Sequence, residues 1–414
     1  MHTGRVEKEF ELTQERAIDG LQALTAASDE EKERRGTRYT PKEILHQPAT
    51  WETTYNICSN RREEYARFLR TAYIGVTGVP RPTVYLVGAG TSDYVGKALI
   101  PLLRRMWGVE AWAVPSTDLL TNLDDLIFPE IPYLWVSFSR SGESSEGLAV
   151  LETALSKYPN VRHLLLTCNQ HGRMAAACEN APGRAFVLAL DDSANDRGLA
   201  MTSSFSNMVV AGHCIAHAFT PEEYERPFSL LRRTGELFLQ SAEEVASAIS
   251  QESFTKACFV GSGVLRAVAE ESALKVLELT TGKIQTMSES TLGLRHGPMS
   301  ALDGNTLFAS FVSRDPRRRN YERDLIEEVH KKRLGKLRVV VTPDSDSKAG
   351  FGSMADHVLS LHAPDLRDEY RAPVDVMLAQ MLGLFCCLRL GLKPDNPSPN
   401  GAISRVVSHV NIYS

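Results

Sequence analysis

A chain of 414 residues exceeds the roughly 250–300 at which a single core stops growing, so more than one domain is expected. Its 43% hydrophobic and 23% charged residues are those of a globular protein, and a net charge of −5 argues against nucleic acid as the main partner. No apolar run approaches the roughly 18–20 residues of a membrane span, and seven cysteines without a CxxC spacing read as reduced, buried side chains, so a cytoplasmic location is expected.

Residues 1–81 read as a helical extension. They open on "MHTGRVEKEFELTQERAIDG", amphipathic and acidic with no apolar signal-peptide core, and close on "RYTPKEILHQPATW" (38–51), whose Tyr39 and Trp51 are expected to dock on the core. Strand candidates follow at "TVYLVGAG" (83–90), "EAWAVPS" (110–116), "YLWVSFS" (133–139), "VRHLLLTC" (161–168) and "RAFVLAL" (184–190). They are rich in Val, Leu and aromatics and lack two-residue alternation, as strands covered on both faces of a parallel sheet do. Helical stretches such as Ser145–Tyr158 lie between them, so 82–220 reads as a doubly wound α/β domain.

A mainly helical linker (221–249) leads to a second copy. "CFVGSG" (258–263) echoes "YLVGAG" (85–90), "FASFVSR" (308–314) echoes "WVSFSR" (135–140), and "LRVVVTPD" (337–344) echoes "RHLLLTCN" (162–169). The constant offset of about 173–175 residues points to duplication of a whole domain. The expected fold is α/β, two tandem doubly wound parallel-sheet domains, the second at 250–393, with a tail at 394–414. The charge runs "DEEKERR" (29–35) and "RDPRRRN" (314–320) read as a solvated helix face and a loop.

Ligands of parallel α/β sheets sit beyond the strand C-termini, at free helix amides. Two such ends in the first copy are unusual, "GAGTSDYVG" (88–96) and "SFSRSGESSEG" (137–147). Glycines such as Gly90 let backbone approach an anion, and the hydroxyls of Ser92, Ser139, Ser141 and Ser144 can donate to phosphate oxygens, with Arg140 adding charge. Neither GxxxxGK[ST] nor GxGxxG spacing is present, so a small phosphomonoester fits better than a nucleotide. One serine could simply be a helix cap, but four around a glycine turn favour phosphate. The second copy reads "FVSRDPRRRN" and "GSGVL" at these points and is free for another task.

That task falls to "EESALKVLELTTGKIQTMSESTLGLRHGP" (270–298), where Glu271, Lys275 and Glu278 share one helix face and Glu289 and His296 follow. The groups suit proton transfer on a small metabolite, although spacing alone leaves a surface ion pair and a capping histidine open. "HCIAH" (213–217) places His213 and His217 at i, i+4, but no third ligand stands out and a core helix is expected, with no metal.

The segment carrying these motifs resembles the SIS (sugar isomerase) family, particularly the isomerase half of glucosamine-6-phosphate synthase. The resemblance implies that Ser92, Ser139, Ser141 and Ser144 bind sugar phosphate and that Thr91 contacts the sugar. It implies that Glu278 is the base moving a proton between C1 and C2, that Lys275 lies beside the sugar, and that His296 opens the ring, in the synthase from the other subunit. Arg140 stands where the synthase has glutamine. The eighty-odd residues before the first sheet are too few for the synthase's glutaminase domain, so chemistry with glutamine is not expected. The synthase's terminal lysine is matched by Arg405 in "SRVVSHVNIY" (404–413), implying a substrate clamp and not an imine, and its sugar-closing loop is matched loosely by "GLAMTSSF" (198–205).

Over nearly its full length, including "RYTPKEILHQPATW" and "NPSPNGAISRVV", the chain is more similar to the SIS proteins of amino-sugar catabolism. These are galactosamine-6-phosphate deaminase/isomerases, also called tagatose-6-phosphate ketose/aldose isomerases. The resemblance implies a cofactor-free deaminating isomerase acting on a small phosphosugar, a tail lying over the active site, and a homodimer or higher homo-oligomer. A neutral-sugar isomerase would use the same residues. A non-catalytic sugar-phosphate sensor would need the serine loop but not Glu278 and His296.

Overall fold

Val-, Leu- and aromatic-rich runs that end in glycine or serine turns build two five-stranded parallel sheets in the computed structural model, which describes residues 19–345, 350–398, 400–407 and 410–413. The acidic opening segment, up to residue 18, lies outside the described residues. The first sheet contains β1 (Thr83–Gly88), β2 (Ala111–Pro115), β3 (Tyr133–Ser139), β4 (Val161–Thr167) and β5 (Ala185–Ala189) in the order β2-β1-β3-β4-β5. The second contains β6 (Lys256–Gly261), β7 (Gln285–Ser290), β8 (Thr306–Phe311), β9 (Leu337–Thr342) and β10 (His357–Ser360) in the order β10-β9-β8-β6-β7. Reversed, this is the same topology, so the duplication read from the motif offsets is a duplication of fold.

Backbone detail repeats as well. Gly90 has φ 56° and ψ −125°, and Gly263, its counterpart, has φ 60° and ψ −127°. Both precede a helix at the end of the first strand of their sheet, in a conformation L side chains rarely adopt.

Helices clothe the sheets. The extension forms α1 (Leu21–Ala26), α2 (Asp29–Arg35), α3 (Thr40–Leu45), α4 (Gln47–Asn60) and α5 (Arg62–Thr71). The first sheet carries α6 (Thr91–Trp107), α7 (Ser116–Leu126), α8 (Ser145–Lys157), α9 (Arg173–Glu179) and α10 (Ser203–Ala216). The linker is one 29-residue helix, α11 (Glu222–Ser250), and the second half adds α12 (Val264–Leu279), α13 (Pro316–Lys331), α14 (Asp368–Asp375) and α15 (Met377–Arg389). α6 packs on α12, and α15 packs on α11 and α12, so one continuous core joins both sheets.

Several expectations change. Trp51 is fully buried and donates its indole N–H to Ser206 Oγ at 2.8 Å, but Tyr39 is 41% exposed and does not dock. Strands β7 and β10 carry little of the expected apolar signal: β7 reads "QTMSES" on a sheet edge, and β10 has four residues. The run Asp368–Arg389 is long and apolar enough to cross a membrane, contrary to the first reading, yet its apolar window is 94% buried inside the fold, which is how a core helix behaves. "RDPRRRN" is not a loop, since α13 begins at Pro316 with Asp315 as its cap. His213 and His217 lie in the core, paired with the hydroxyls of Tyr224 (3.0 Å) and Tyr370 (2.9 Å). Among the described residues no group of three or more His, Cys, Asp or Glu could hold a metal ion.

Candidate active site

Parallel pairing sets Val87 of β1 beside Ser137 of β3, and Ser139 beside Thr167 of β4, so the glycine and serine turns open at the same sheet edge. There they border a cleft of about 150 Å³ that includes Ser92, Ser139, Arg140, Ser141, Ser144 and Arg405 in its lining. Ser139 Oγ accepts the Gly142 N–H at 3.0 Å, and Ser141 Oγ accepts the Glu143 N–H at 3.2 Å. Because both serines act as acceptors, each keeps its hydroxyl proton for a ligand.

Ser144 occupies the N-cap of α8 but makes no capping bond, and among the described residues neither it nor Ser92 forms a side-chain hydrogen bond. Capping therefore does not account for Ser144. Its Oγ lies 2.6 Å from where a Cβ on Gly147 would sit, so glycine is needed there to admit it. The loop itself is held from behind. Gly142, at φ 65°, crosses Gly172, where a Cβ would come within 2.8 Å of the Ser141 carbonyl, and Asn169 Nδ2 donates to that carbonyl at 2.8 Å.

Arg140 and Arg405 line the cleft, but their guanidinium groups engage protein oxygens. Arg140 Nη1 donates to the carbonyls of Leu199 (3.0 Å) and Gly198 (3.3 Å), and its Nη2 donates to the carbonyl of Arg405. Arg405 Nε donates to the Asp196 carbonyl at 2.9 Å, and its Nη2 to Asn195 Oδ1 at 2.8 Å. These contacts differ from the phosphate contact and the substrate clamp expected from the sequence.

Beside Ser92, Thr91 joins the two halves of the chain. Lys275 Nζ of α12 donates to Thr91 Oγ1 at 2.9 Å and to Glu278 Oε2 at 2.6 Å, while Thr91 Oγ1 contacts Glu271 Oε1 at 3.3 Å. Lys275 is fully buried; burial opposes its charge, but Glu271 and Glu278 outweigh that, and its pKa is raised. Glu271 is equally buried, its Oε2 has no partner, and its carboxyl is pushed up to about 8, by burial first, with Lys275 opposing. Lys275 Nζ lies 2.6 Å from Glu278 Oε2 and 3.4 Å from Glu271 Oε1, so its closer carboxylate partner is Glu278. Glu278 keeps 25% of its side chain exposed, so it is the member of the cluster open to a ligand.

Among the described residues no hydrogen bond or ion pair joins His296 to this cluster. It lies exposed on the turn after β7, and among the described residues its ring has no hydrogen-bond partner. Glu289 Oε1 instead accepts from the Ser290 N–H and approaches Arg266 at 3.7 Å.

In the second sheet an internal carboxylate fills the position corresponding to the cleft. Buried Asp368 accepts from Ser313 Oγ, from the Arg314 N–H at 3.0 Å and from Arg371 at 3.2 Å. The second copy thus satisfies its strand-end donors from within the protein.

Ser116, Ser137, Trp135 and Glu146 also border the cleft, and the sequence reading did not single them out. Ser137 was legible in principle, because alternation along β3 puts it on the same face as Ser139. Ser116 opens α7 without any distinguishing motif.

No protein-family model matches the chain. A Streptomyces coelicolor relative is 37% identical over 380 residues, 91% of this chain and 95% of its own length. The D-galactosamine-6-phosphate deaminase AgaS of Escherichia coli O157:H7 is 33% identical over 377 residues, again 91% and 95% of the two chains. Among solved structures, tagatose-6-phosphate ketose/aldose isomerase from Escherichia coli matches with a TM-score of 0.81 and 32% identity, covering 91% of this chain and 96% of that one.

Proposed function

Since the chain belongs to the SIS-domain family of galactosamine-6-phosphate deaminases and tagatose-6-phosphate isomerases, we propose that it converts D-galactosamine 6-phosphate to D-tagatose 6-phosphate and ammonia, in the cytoplasm and as a homo-oligomer. The family membership establishes amino-sugar-phosphate isomerase/deaminase chemistry in general. The observation that carries the specific reading is the Thr91–Lys275–Glu278 junction beside a cleft lined by six serines.

The serine hydroxyls and the free first-turn amides of α8 hold the phosphate, which fixes the open-chain sugar with C1 and C2 at Glu278. Glu278 takes the proton from C2 as the C1 aldehyde becomes an enol, giving an enolamine; Lys275 stabilises the charge developing on the C1 oxygen. Return of the proton to C1 leaves a C2 imine, and water then adds at C2, expelling ammonia and forming the ketose carbonyl. His296 moves a proton between ring oxygen and anomeric hydroxyl at ring opening, from a neighbouring subunit, a role its exposure in the single chain supports. No step calls for a metal or an organic cofactor.

The solved structure named as a ketose/aldose isomerase favours a second reading, isomerisation of a neutral sugar phosphate by the same base. Ammonia release from galactosamine 6-phosphate, with glucosamine 6-phosphate alongside and Glu278→Gln as control, separates them. Release that the variant loses supports the deaminase. Absence of ammonia with isomerisation of tagatose 6-phosphate supports the neutral-sugar enzyme, and absence of both leaves a sensor.

A further inference from the structure

The contacts of Arg140 and Arg405 interlock. Arg140, 6% exposed, reaches the carbonyl of residue 405, while the guanidinium of Arg405 reaches back to Asn195 and Asp196, next to the residues 198 and 199 that Arg140 also holds. The receiving loop is densely hydrogen-bonded. The Asp196 carboxylate accepts the N–H groups of Thr202 (2.8 Å), Ser203 (3.0 Å) and Ser204 (2.8 Å) at the start of α10, together with the hydroxyls of Thr202 and Ser204. From the N-terminal extension, Glu43 accepts the N–H groups of Arg197 and Gly198. The segment pinned this way runs along the cleft, where Val406 and Val407 form part of the wall. The Val407 carbonyl accepts the Ser145 N–H at 3.2 Å, the first amide of α8, which leaves the Glu146 and Gly147 amides for an anion.

We propose that Arg140 and Arg405 are positioning residues that hold the C-terminal segment as a strap across the anion cleft, and that ligand affinity depends on them through the strap and not through direct contact. Like charges, one buried at Arg140 and one half-buried at Arg405, are tolerated because Asp196 stands near both: burial and Arg405 lower the Arg140 pKa, burial and Arg197 lower that of Arg405, and Asp196 opposes both shifts. For the identity of what enters the cleft, the inference rests on the phosphosugar reading.

The test is a double-mutant cycle on the full chain, Arg140→Lys, Arg405→Ala and the pair, with calorimetric titration of galactosamine 6-phosphate and of inorganic phosphate. Losing either arginine's carbonyl contacts is expected to weaken sugar-phosphate binding about tenfold, and the double variant is expected to bind no more weakly than the poorer single one. Fully multiplicative losses, about a hundredfold together, would mean that each arginine touches the ligand separately and would overturn the proposal. Hydrogen exchange at the Ser145 amide gives a readout without ligand. It is expected to be protected in the unsubstituted protein and to exchange faster in either variant. Unchanged exchange in folded variants overturns the strap, and so does an unprotected amide in the unsubstituted protein, which needs no variant. If the unsubstituted protein binds neither ligand, the phosphosugar reading fails while the exchange data still decide the strap.

Discussion

Lys275 of α12 donates to Thr91 of α6 at 2.9 Å, so one hydrogen bond joins a helix of the second half to the glycine turn that opens α6 in the first. Duplication makes this possible. Each half supplies the helix that follows the first strand of its sheet, α6 or α12, and these helices pack against each other. The turn that opens α6 borders a cleft with unused hydroxyls through Ser92, whereas α12 carries Glu271, Lys275 and Glu278, the groups proposed for acid–base chemistry.

Replacing Lys275 with methionine keeps the packing volume but leaves Glu278 without its cation. The expected result is a loss of turnover of about 10²–10⁴-fold. Because Glu278 keeps 25% of its side chain exposed, the stability loss is expected to fall short of the about 3–5 kcal/mol of a fully buried pair, with a modest drop in denaturant midpoint. Steady-state kinetics and urea unfolding check both; a variant with full turnover would remove Lys275 from the mechanism.

Glu271 makes stability depend on pH in an unusual direction for a carboxylic acid. Its folded-state value of about 8 lies above the 4.5 of a free glutamate, so the folded chain holds a proton that the unfolded chain releases. The associated stability is complete below pH 4.5 and is lost as pH rises through 8. Glu43, pushed up to about 8, and Glu322, pushed up to about 7, act in the same sense, burial being the main cause in each. Melting temperatures are expected to fall between pH 6 and 9 and to fall less steeply in Glu271→Gln. An identical slope in the variant would place the proton elsewhere.

The parts that were legible in the sequence are those where one residue type has one physical use. Gly90 and Gly263 mark turns with positive φ, and the runs around Val136 and Val340 mark strands buried on both faces. The place of the serine loop on a cleft was legible because four hydroxyls exceed what capping needs. Arg140 and Arg405 were not, since a guanidinium reads alike whether it meets phosphate or carbonyl oxygens, and the carbonyls it meets lie far along the chain. Asp368 was equally hidden: it satisfies Ser313 from 55 residues away, and no spacing announces that. Tyr39 failed for the opposite reason, because an aromatic beside a helix start can face either way.

Ser144 offers a clean separation of binding from stability. A serine that caps a helix costs about 0.5–2 kcal/mol when changed to alanine, but Ser144 makes no such bond. Ser144→Ala is therefore expected to unfold at the denaturant midpoint of the unsubstituted protein while its KM for the phosphosugar rises about tenfold, the value of one hydrogen bond to a charged group. A lower midpoint with unchanged KM would return Ser144 to the role of a cap.

His296 stands exposed after β7, and in the proposed mechanism it serves the site of a second copy of the chain. The consequence is complementation. Glu278→Gln subunits retain an intact histidine and His296→Ala subunits retain an intact base, so a mixed oligomer contains some sites with both. If exchange is random in a dimer, half of the molecules are mixed and each mixed dimer carries one complete site, which places the expected recovery near one quarter of the original activity. Mixing after mild dissociation, with mixed oligomers verified by differential tagging, checks this. Recovery at that level requires histidine and base to come from different subunits, because a site built within one chain is broken in every subunit of either variant. Verified mixed oligomers without activity would assign both groups to the same chain, and His296 would then have to reach the cleft by a movement of the turn after β7.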